Sequence, residues 1–213
     1  MQANFNNITA AGIVYLNGTS NPPCNLHWRD PLGHWNFWCP VTSGTSGSSS
    51  SPRTEYRETE AETATSFNWR PEDFLSSRMD GVTRIQTVPS SEKVIFAQLH
   101  ASGAPAPFVK LFRNGQELRA EVRFRPSQTE SPVVIRLPVG NARASYSIEV
   151  TGGGQLIIVL NGERFECPID EDWDQYQFYF KAGAYVIDNE GPESEGGWVV
   201  YENLSVTHEP SVF

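Results

Sequence analysis

The stretch from Gln177 to Tyr185, QFYFKAGAY, predicts the fold of this chain. Read with a period of two, one side is apolar and holds Phe178, Phe180, Ala182 and Ala184. The other side holds Gln177, Tyr179, Lys181, Gly183 and Tyr185. Such alternation is typical of a β-strand with one face on a core. Because two tyrosines flank a lysine, and Gly183 would let a ligand approach the backbone, we expect the polar face to be the floor of a ligand-binding surface.

Alternating segments of the same kind recur along the chain, at residues 53–57, 94–100, 108–113, 116–125, 133–137, 146–150, 156–160 and 198–206. Asn114-Gly115 and Asn161-Gly162 favour type I′ hairpin turns between neighbouring segments. Residues 67–80 read as a loop with one helical turn. Short strands without a convincing helix predict an all-β fold, an antiparallel β-sandwich or jelly roll. We see no internal repeat, so we expect a single domain over residues 1–213.

Composition narrows the class of partner. The 213 residues carry a net charge of −9, which argues against nucleic acid as the ligand. No apolar run approaches about 18 residues, so we expect no membrane span. An acidic protein can still bind an anionic polymer if its few cations are gathered in one groove.

The three cysteines are an odd count. Cys24 and Cys39 could close a loop, which would leave Cys167 as a free thiol. Their spacing fits no metal site. The Ser/Gly/Thr-rich run at 42–52 predicts a flexible loop within the domain.

Three glycosylation sequons favour a secreted, extracellular protein, and they begin at Asn7, Asn17 and Asn203. The polar start of the sequence shows no signal peptide. Secretion is therefore an expectation that rests on the sequons.

Three strand faces carry functional groups at i, i+2 spacing, and these are Arg53/Glu55/Arg57, Gln98/His100 and Tyr179/Lys181/Tyr185. In the second strand, Ile95, Ala97 and Leu99 are predicted to face the core, with Phe96 on the polar side. Each face has an ordinary explanation, since exposed ion pairs contribute little and a lone histidine is usually structural. Side by side on one concave sheet, however, they would form a cationic floor.

Such a floor suits β-elimination from a polyuronate. Removing the C5 proton beside a carboxylate creates a second negative charge, so Arg or Gln donors must first neutralise the carboxylate. A histidine with an unperturbed pKa of about 6.5 is a suitable base. A tyrosine can protonate the leaving C4 oxygen. This chemistry requires no metal and no cofactor.

The same residues resemble the motifs of one known family. Arg53-Thr54-Glu55-Tyr56-Arg57 resembles the Arg-x-Glu-Leu-Arg motif of the alginate lyases of polysaccharide lyase family 7. Gln98-Leu99-His100 is similar to their Gln-Ile/Val-His motif. The segment from Tyr179 to Tyr185 is similar to their Tyr-Phe-Lys-Ala-Gly-x-Tyr-x-Gln motif. The resemblance runs from about Trp35 to about Val206, with the three motifs in the family's order.

The resemblance implies a jelly roll whose concave sheet binds and cleaves the polymer as a monomer. The implied catalytic residues are Arg53 and Gln98 on the carboxylate, His100 as or beside the base, and Tyr185 as the acid. The implied substrate-binding residues are Glu55, Arg57, Tyr179, Lys181 and Ile187.

Two positions depart from the family pattern. Ile187 replaces the closing Gln, which leaves mannuronate-rich alginate, guluronate-rich alginate and glucuronan open as substrates. Tyr56 replaces the Leu and should face the core.

Two other classes remain as alternatives. A glycoside hydrolase of this fold would need paired carboxylates, for which the chain offers Glu58-Thr59-Glu60-Ala61-Glu62 and Asp170-Glu171-Asp172. A non-catalytic polysaccharide-binding jelly roll would keep the fold without the chemistry.

Overall fold

The computed structural model describes residues 26–43, 51–60 and 65–211, together with the backbone of Ile13–Tyr15. Most of the loop predicted at 42–52 lies outside these residues, and so do Asn7, Asn17 and Cys24. No helix in the described part of the chain is long and apolar enough to cross a membrane.

Two antiparallel sheets of seven strands each make up the described fold. The front sheet has the order β1-β4-β13-β6-β7-β8-β9, and the back sheet has the order β12-β11-β10-β5-β14-β3-β2. The strands are β1 Ile13–Tyr15, β2 His27–Arg29, β3 Trp35–Pro40, β4 Arg53–Arg57, β5 Phe74–Thr87, β6 Lys93–Ala101, β7 Val109–Asn114, β8 Glu117–Val122, β9 Val133–Pro138, β10 Arg143–Thr151, β11 Gln155–Leu160, β12 Glu163–Pro168, β13 Phe178–Val186 and β14 Gly196–Pro210. Single 3-10 turns occur at Pro71–Asp73 and Glu171–Trp173.

The core lies between the two sheets and is built from alternate residues of each strand. Phe178, Phe180, Ala182 and Ala184 of β13 are all buried, as their period predicted. Tyr56 of β4 also faces the core, where its ring packs edge-on against Phe37. A fully buried large apolar side chain contributes about 1.5–3 kcal/mol to stability. The predicted all-β sandwich is confirmed.

The two predicted hairpin turns differ in type. Asn161 and Gly162 both have positive φ, 47° and 90°, as a type I′ turn requires. In the other hairpin Asn114 pairs with Glu117, so the two-residue loop is Gly115-Gln116. Of these two residues only Gly115 has a positive φ, 58°, which fits a type II′ turn. The prediction of type I′ at Asn114-Gly115 was therefore wrong by one residue.

The prediction of a loop over residues 67–80 was wrong from Phe74 onward. The helical turn exists at Pro71–Asp73, but strand β5 begins at Phe74 and runs to Thr87 in the middle of the back sheet. Three of its buried, inward positions hold small or polar residues, so the sequence shows no clear alternation of apolar residues there. These positions are Ser77, Gly81 and Thr83. Gly81 is required there, because a Cβ would collide with the Tyr146 ring.

Cys24, which could have closed a loop with Cys39, lies outside the described residues. Cys39 is a free, buried thiol, and burial raises its pKa to about 12. Cys167 is free, as expected, and half-buried at the edge strand β12. That strand, Glu163–Pro168, was missed from sequence because its outward residues are almost all exposed.

Candidate active site

The three polar strand faces predicted from sequence lie on adjacent strands of the front sheet. Strand β13 pairs with β4 on one side and with β6 on the other. Tyr185 opposes Arg53, and Lys181 lies between Arg57 and Gln98. His100 opposes Tyr179. The structure therefore brings together eight of the nine predicted site residues on one face, which we call the front face.

A half-exposed layer of aromatic and cationic groups covers this cluster. The Arg53 guanidinium lies 3.9 Å from the centre of the Tyr185 ring. The Arg57 guanidinium lies 3.8 Å from the centre of the Tyr179 ring. Such cation–π contacts hold both the cation and the ring in place. The His100 ring stacks on Tyr179 with a centroid distance of 5.3 Å.

Arg57 is anchored by a segment that sequence reasoning did not connect with the site. Its guanidinium donates to the carbonyl oxygens of Glu58, at 2.8 Å, and Phe67, and to the side-chain oxygen of Asn68. Asn68 lies in the stretch that was read as a loop, and no sequence signal marks it. These bonds orient the guanidinium toward the front face.

A layer of buried polar side chains lies beneath these aromatic and cationic groups. Glu55 is 1% exposed, Gln98 0% and Lys181 5%. The Gln98 amide nitrogen donates to one Glu55 oxygen, and the Lys181 Nζ lies 3.5 Å from the other. Burial lowers the pKa of Lys181, and Glu55 opposes this effect. Glu55 therefore holds two of the predicted donors below the surface.

This burial changes the predicted role of Gln98. Sequence reasoning placed its amide directly on the substrate carboxylate, but in this structure solvent does not reach it. Its Oε1 is buried and has no hydrogen-bond partner within the described residues. Gln98 therefore fixes the position of Glu55 here, and contact with a ligand would require the buried layer to rearrange.

His100 is held as a neutral imidazole. Burial lowers its pKa to about 4, and the positive charges of Lys181, Arg53 and Arg57 add to this effect. Its Nδ1 lies 2.8 Å from the Ala101 amide nitrogen and 2.9 Å from the Ala101 carbonyl oxygen. Nε2 is therefore the nitrogen that can serve a ligand. The unperturbed value of about 6.5, assumed from sequence, does not hold in this setting.

Gly183 allows strand β4 to pack closely against β13. A Cβ at this position would collide with the backbone of Thr54 and Glu55 on β4. The pairing of β13 with β6 shifts between Ala182 and Tyr185, as at a β-bulge. The Gly183 amide accordingly donates to the buried Tyr201 hydroxyl at 3.1 Å. The glycine is thus required by close strand packing, whereas sequence reasoning had reserved its space for a ligand.

A second irregularity corrects the face predicted for Phe96. The pairing of β6 with β7 shifts between Ile95 and Ala97. Phe96 therefore turns into the core, where its ring lies 5.6 Å from that of Tyr146. Ile95 takes its place on the front face. Gln98 and His100 keep the predicted orientation because the alternation resumes after the bulge.

Ile187 directly follows β13 at the Tyr185 end of the site. It is half-buried, and its amide donates to the Lys93 carbonyl oxygen at 3.2 Å. This position agrees with a role in shaping the front face beside Tyr185.

The front face is cationic although the chain is acidic. Its outward strand positions carry seven basic side chains and three carboxylates, a net charge of +4 against −9 for the whole chain. The basic residues are Arg53, Arg57, Lys93, Lys110, Arg119, Arg136 and Lys181, and the acidic ones are Glu55, Glu117 and Glu121. Local potential of this kind attracts an anionic polymer.

Of the carboxylates proposed for a hydrolase, Glu62 lies outside the described residues, and the described ones do not form such a site. Glu58 is 1% exposed and points into the core, where it accepts from the Trp69 indole, the Phe180 amide and His208. Asp170 pairs with Arg125 at 3.0 Å on the exposed side of a turn. The described residues contain no group of three metal-ligating side chains of the His, Cys, Asp or Glu type.

Comparison with known proteins agrees with this geometry. The family model described as alginate lyase matches residues 20–208. The chain belongs to the alginate lyase family. As a member it is a polysaccharide lyase, so the hydrolase alternative is wrong.

Solved structures of alginate lyases share the fold. Alginate lyase PA1167 from Pseudomonas aeruginosa is 32% identical, with a TM-score of 0.80 and 88% of each chain covered. Alginate lyase A1-II′, a member of polysaccharide lyase family 7, is 27% identical, with a TM-score of 0.75, 89% of this chain and 86% of its own covered. A comparison with curated protein sequences gave no match. The predicted family resemblance and jelly roll are confirmed.

Proposed function

We propose that this alginate lyase cleaves a polyuronate by β-elimination on the front face of β4, β13 and β6. The observation that carries the proposal is that adjacent strands β4, β13 and β6 place a phenol, a neutral imidazole and two guanidinium groups on one face. These groups belong to Tyr185, His100, Arg53 and Arg57. Each step of an elimination finds a suitable group there.

The first step is neutralisation of the uronate carboxylate. Arg53 and Arg57 are half-exposed and already oriented by Tyr185, Tyr179 and backbone carbonyls. Guanidinium groups bind carboxylates through paired, charge-assisted hydrogen bonds. Lys181 adds positive charge from below. With the carboxylate neutralised, the C5 carbanion acquires enolate character and becomes accessible.

The second step moves two protons. In the neutral tautomer whose Nδ1 donates its hydrogen to the Ala101 carbonyl oxygen, Nε2 of His100 is free to accept the C5 proton. A bound carboxylate would offset the three cations that lower the pKa of His100, so the base strengthens when substrate is present. The Tyr185 hydroxyl then protonates the C4 oxygen as the C4–O bond breaks. In a syn elimination Tyr185 would serve as both base and acid.

We propose alginate as the substrate class, with glucuronan as the alternative. The related enzyme A1-II′, 28% identical, has been solved with a product, GGG, and with a substrate, GGMG. The apolar Ile187 beside the site departs from the family motif, and we infer that it influences which uronate is preferred.

The test is to mix the protein with polymannuronate, polyguluronate and glucuronan in turn and to follow ultraviolet absorbance. We expect an increase with at least one polymer, because elimination creates a conjugated double bond. Activity should persist in a chelator, since side chains provide the neutralisation. Binding without any absorbance change would favour a non-catalytic polysaccharide-binding protein.

We also propose that the natural protein is secreted and monomeric. The sequon at Asn203 lies at an exposed position of β14, where a glycan could be attached. Mass spectrometry of the natural protein before and after deglycosylation, and light scattering for its size, test these two points. An intracellular, unmodified protein or a stable dimer would contradict them.

A further inference from the structure

The front sheet extends unequally on the two sides of Tyr185. Two strands, β4 and β1, lie on one side of β13, and four strands, β6 to β9, lie on the other. Neighbouring strands are about 4.8 Å apart, so the longer side reaches about 19 Å from β13. That length accommodates several sugar residues beyond the one that is cleaved.

A single transverse row connects Tyr185 to two distant arginines. In the strand register Tyr185 opposes Ile95, and Ile95 opposes Phe112. Phe112 opposes Arg119 on β8, and Arg119 opposes Arg136 on β9. The Lys93 Nζ lies 4.6 Å from the centre of the Phe112 ring, between Tyr185 and the arginines. We call Lys93, Phe112, Glu117, Arg119 and Arg136 the long arm.

The charges of the long arm are unbalanced. Arg119 and Arg136 lie directly opposite each other, a placement of like charges that destabilises a sheet. They share one carboxylate, since the Glu117 Oε2 lies 2.7 Å from the Arg119 Nε and 3.7 Å from the Arg136 Nε.

Lys93 adds a further cation. Within the described residues it forms no ion pair, whereas the neighbouring Lys110 is paired with Glu121 at 2.6 Å. Burial lowers the pKa of Lys93; Glu121 opposes this effect, and the nearby Lys110 and Arg119 add to it. The long arm thus carries three cations and one carboxylate, and an anionic ligand would relieve the repulsion.

We propose that the long arm binds the carboxylates of uronate residues several positions away from the cleaved bond. This inference rests on the proposed function and deepens it, because it assigns the length of chain that the enzyme holds. The regular strand spacing would present one cationic position after another to a polymer with a carboxylate on each sugar.

The back sheet provides a matched control. Arg84 and Arg143 likewise share one carboxylate, Glu202, on the outer face of that sheet. Arg119→Gln/Arg136→Gln and Arg84→Gln/Arg143→Gln therefore remove the same charge from equivalent arrangements on opposite sides of the molecule. Thermal unfolding of both double variants shows whether either change affects the fold.

The experiment measures kcat/KM for oligouronates of increasing length, together with binding of the longest oligomer by titration calorimetry. For the front variant we expect a loss of roughly three- to thirtyfold with long oligomers, in KM rather than kcat, and a loss that shrinks as the oligomer is shortened. For the back variant we expect the length dependence of the wild type.

If kcat/KM depended on oligomer length in the same way in both double variants, the proposal that the long arm binds uronates would be wrong. If the wild type cleaves no polyuronate, calorimetry still decides. Weaker binding by the front variant alone would support the arm while the lyase proposal fails, and equal or absent binding would overturn both.

Discussion

Two glutamates three residues apart are equally buried but hold different partners. Glu55 and Glu58 are each 1% exposed. Glu55 lies under the front face and holds the Gln98 amide and Lys181. Glu58 lies in the core and accepts from Trp69, the Phe180 amide and His208 of the back sheet. Equal burial therefore does not imply an equal role, because the partners differ.

Three buried residues of the core have the composition of a catalytic triad but are not accessible to a substrate. The Ser77 hydroxyl lies 2.8 Å from Nδ1 of His208, whose Nε2 contacts Glu58. All three residues are buried, and aromatic rings of Phe67, Phe74 and Trp69 surround the imidazole. No substrate reaches them in this structure, so we interpret this cluster as a polar bridge between the two sheets.

The largest expected effect belongs to the front face. Tyr185→Phe keeps the ring and its contact with Arg53 but deletes the hydroxyl. If that hydroxyl is the general acid, turnover at saturation should fall by roughly two to four orders of magnitude, while binding of the polymer changes little. Tyr176→Phe, which alters another half-buried phenol away from the site, is the control. Weaker binding with turnover largely intact would remove Tyr185 from catalysis.

The second effect belongs to the core. Glu58→Ala leaves three buried donors without an acceptor, so we expect the free energy of unfolding to fall by about 3–5 kcal/mol. The activity of the molecules that remain folded should be unchanged. Glu58→Gln, which keeps one acceptor oxygen, should lose less and provides a folded variant if the alanine variant does not fold.

Glu55→Ala gives the matched comparison with Glu58→Ala. We expect a smaller loss of stability, because burial already lowers the pKa of Lys181 and without Glu55 the lysine can release its proton. We also expect a clear loss of turnover. Denaturant unfolding and kinetics of both variants test the separation. If the losses were reversed, the division between a functional and a structural glutamate would be wrong.

A third test concerns the neutral state of His100. Because burial and three cations lower its pKa to about 4, we expect its NMR titration near that value, well below 6.5. The neutral form is favoured in the folded state, so its contribution to stability is complete above about pH 6.5 and is lost as pH falls toward 4. A bound oligouronate should raise the pKa. Assignment follows from His100→Asn, and a titration at 6.5 in the free protein would contradict the burial argument.

The smallest expected effect is that of Ile187→Gln. One added neutral hydrogen bond is worth about 0.5–1.5 kcal/mol, so the ratio of activities on polymannuronate, polyguluronate and glucuronan should shift by roughly two- to tenfold. The best substrate should still be cleaved. Unchanged ratios on all three polymers would show that this position does not influence preference.

Much of the fold and the site was predictable because strand alternation is local. The period of two in β13 identified both its core face and the polar face that carries Tyr179, Lys181 and Tyr185. What the alternation could not show is how deeply each side chain is buried, since Gln98 and Tyr179 lie on the same face but only Gln98 is fully buried. Burial depends on the side chains that cover a residue, and these come from other strands.

The remaining errors arose where the alternation is interrupted. The bulge at Ile95 and Phe96 reverses one pair of side chains, and no residue type marks it. Strand β5 was missed because Gly81 and its small polar neighbours make room for Tyr146, a contact between residues far apart in sequence. Asn68 was missed for the same reason, because its partner Arg57 lies on another element.

The most direct test of β-elimination at Tyr185 is the mass of the products from a defined oligouronate. Elimination at the front face breaks the C4–O bond without adding water. We expect one product to be lighter by one water molecule than the hydrolysis product and to absorb in the ultraviolet. We expect Tyr185→Phe to form hardly any of it. Products that both carry the added water, or equal yields from the variant, would contradict β-elimination at Tyr185.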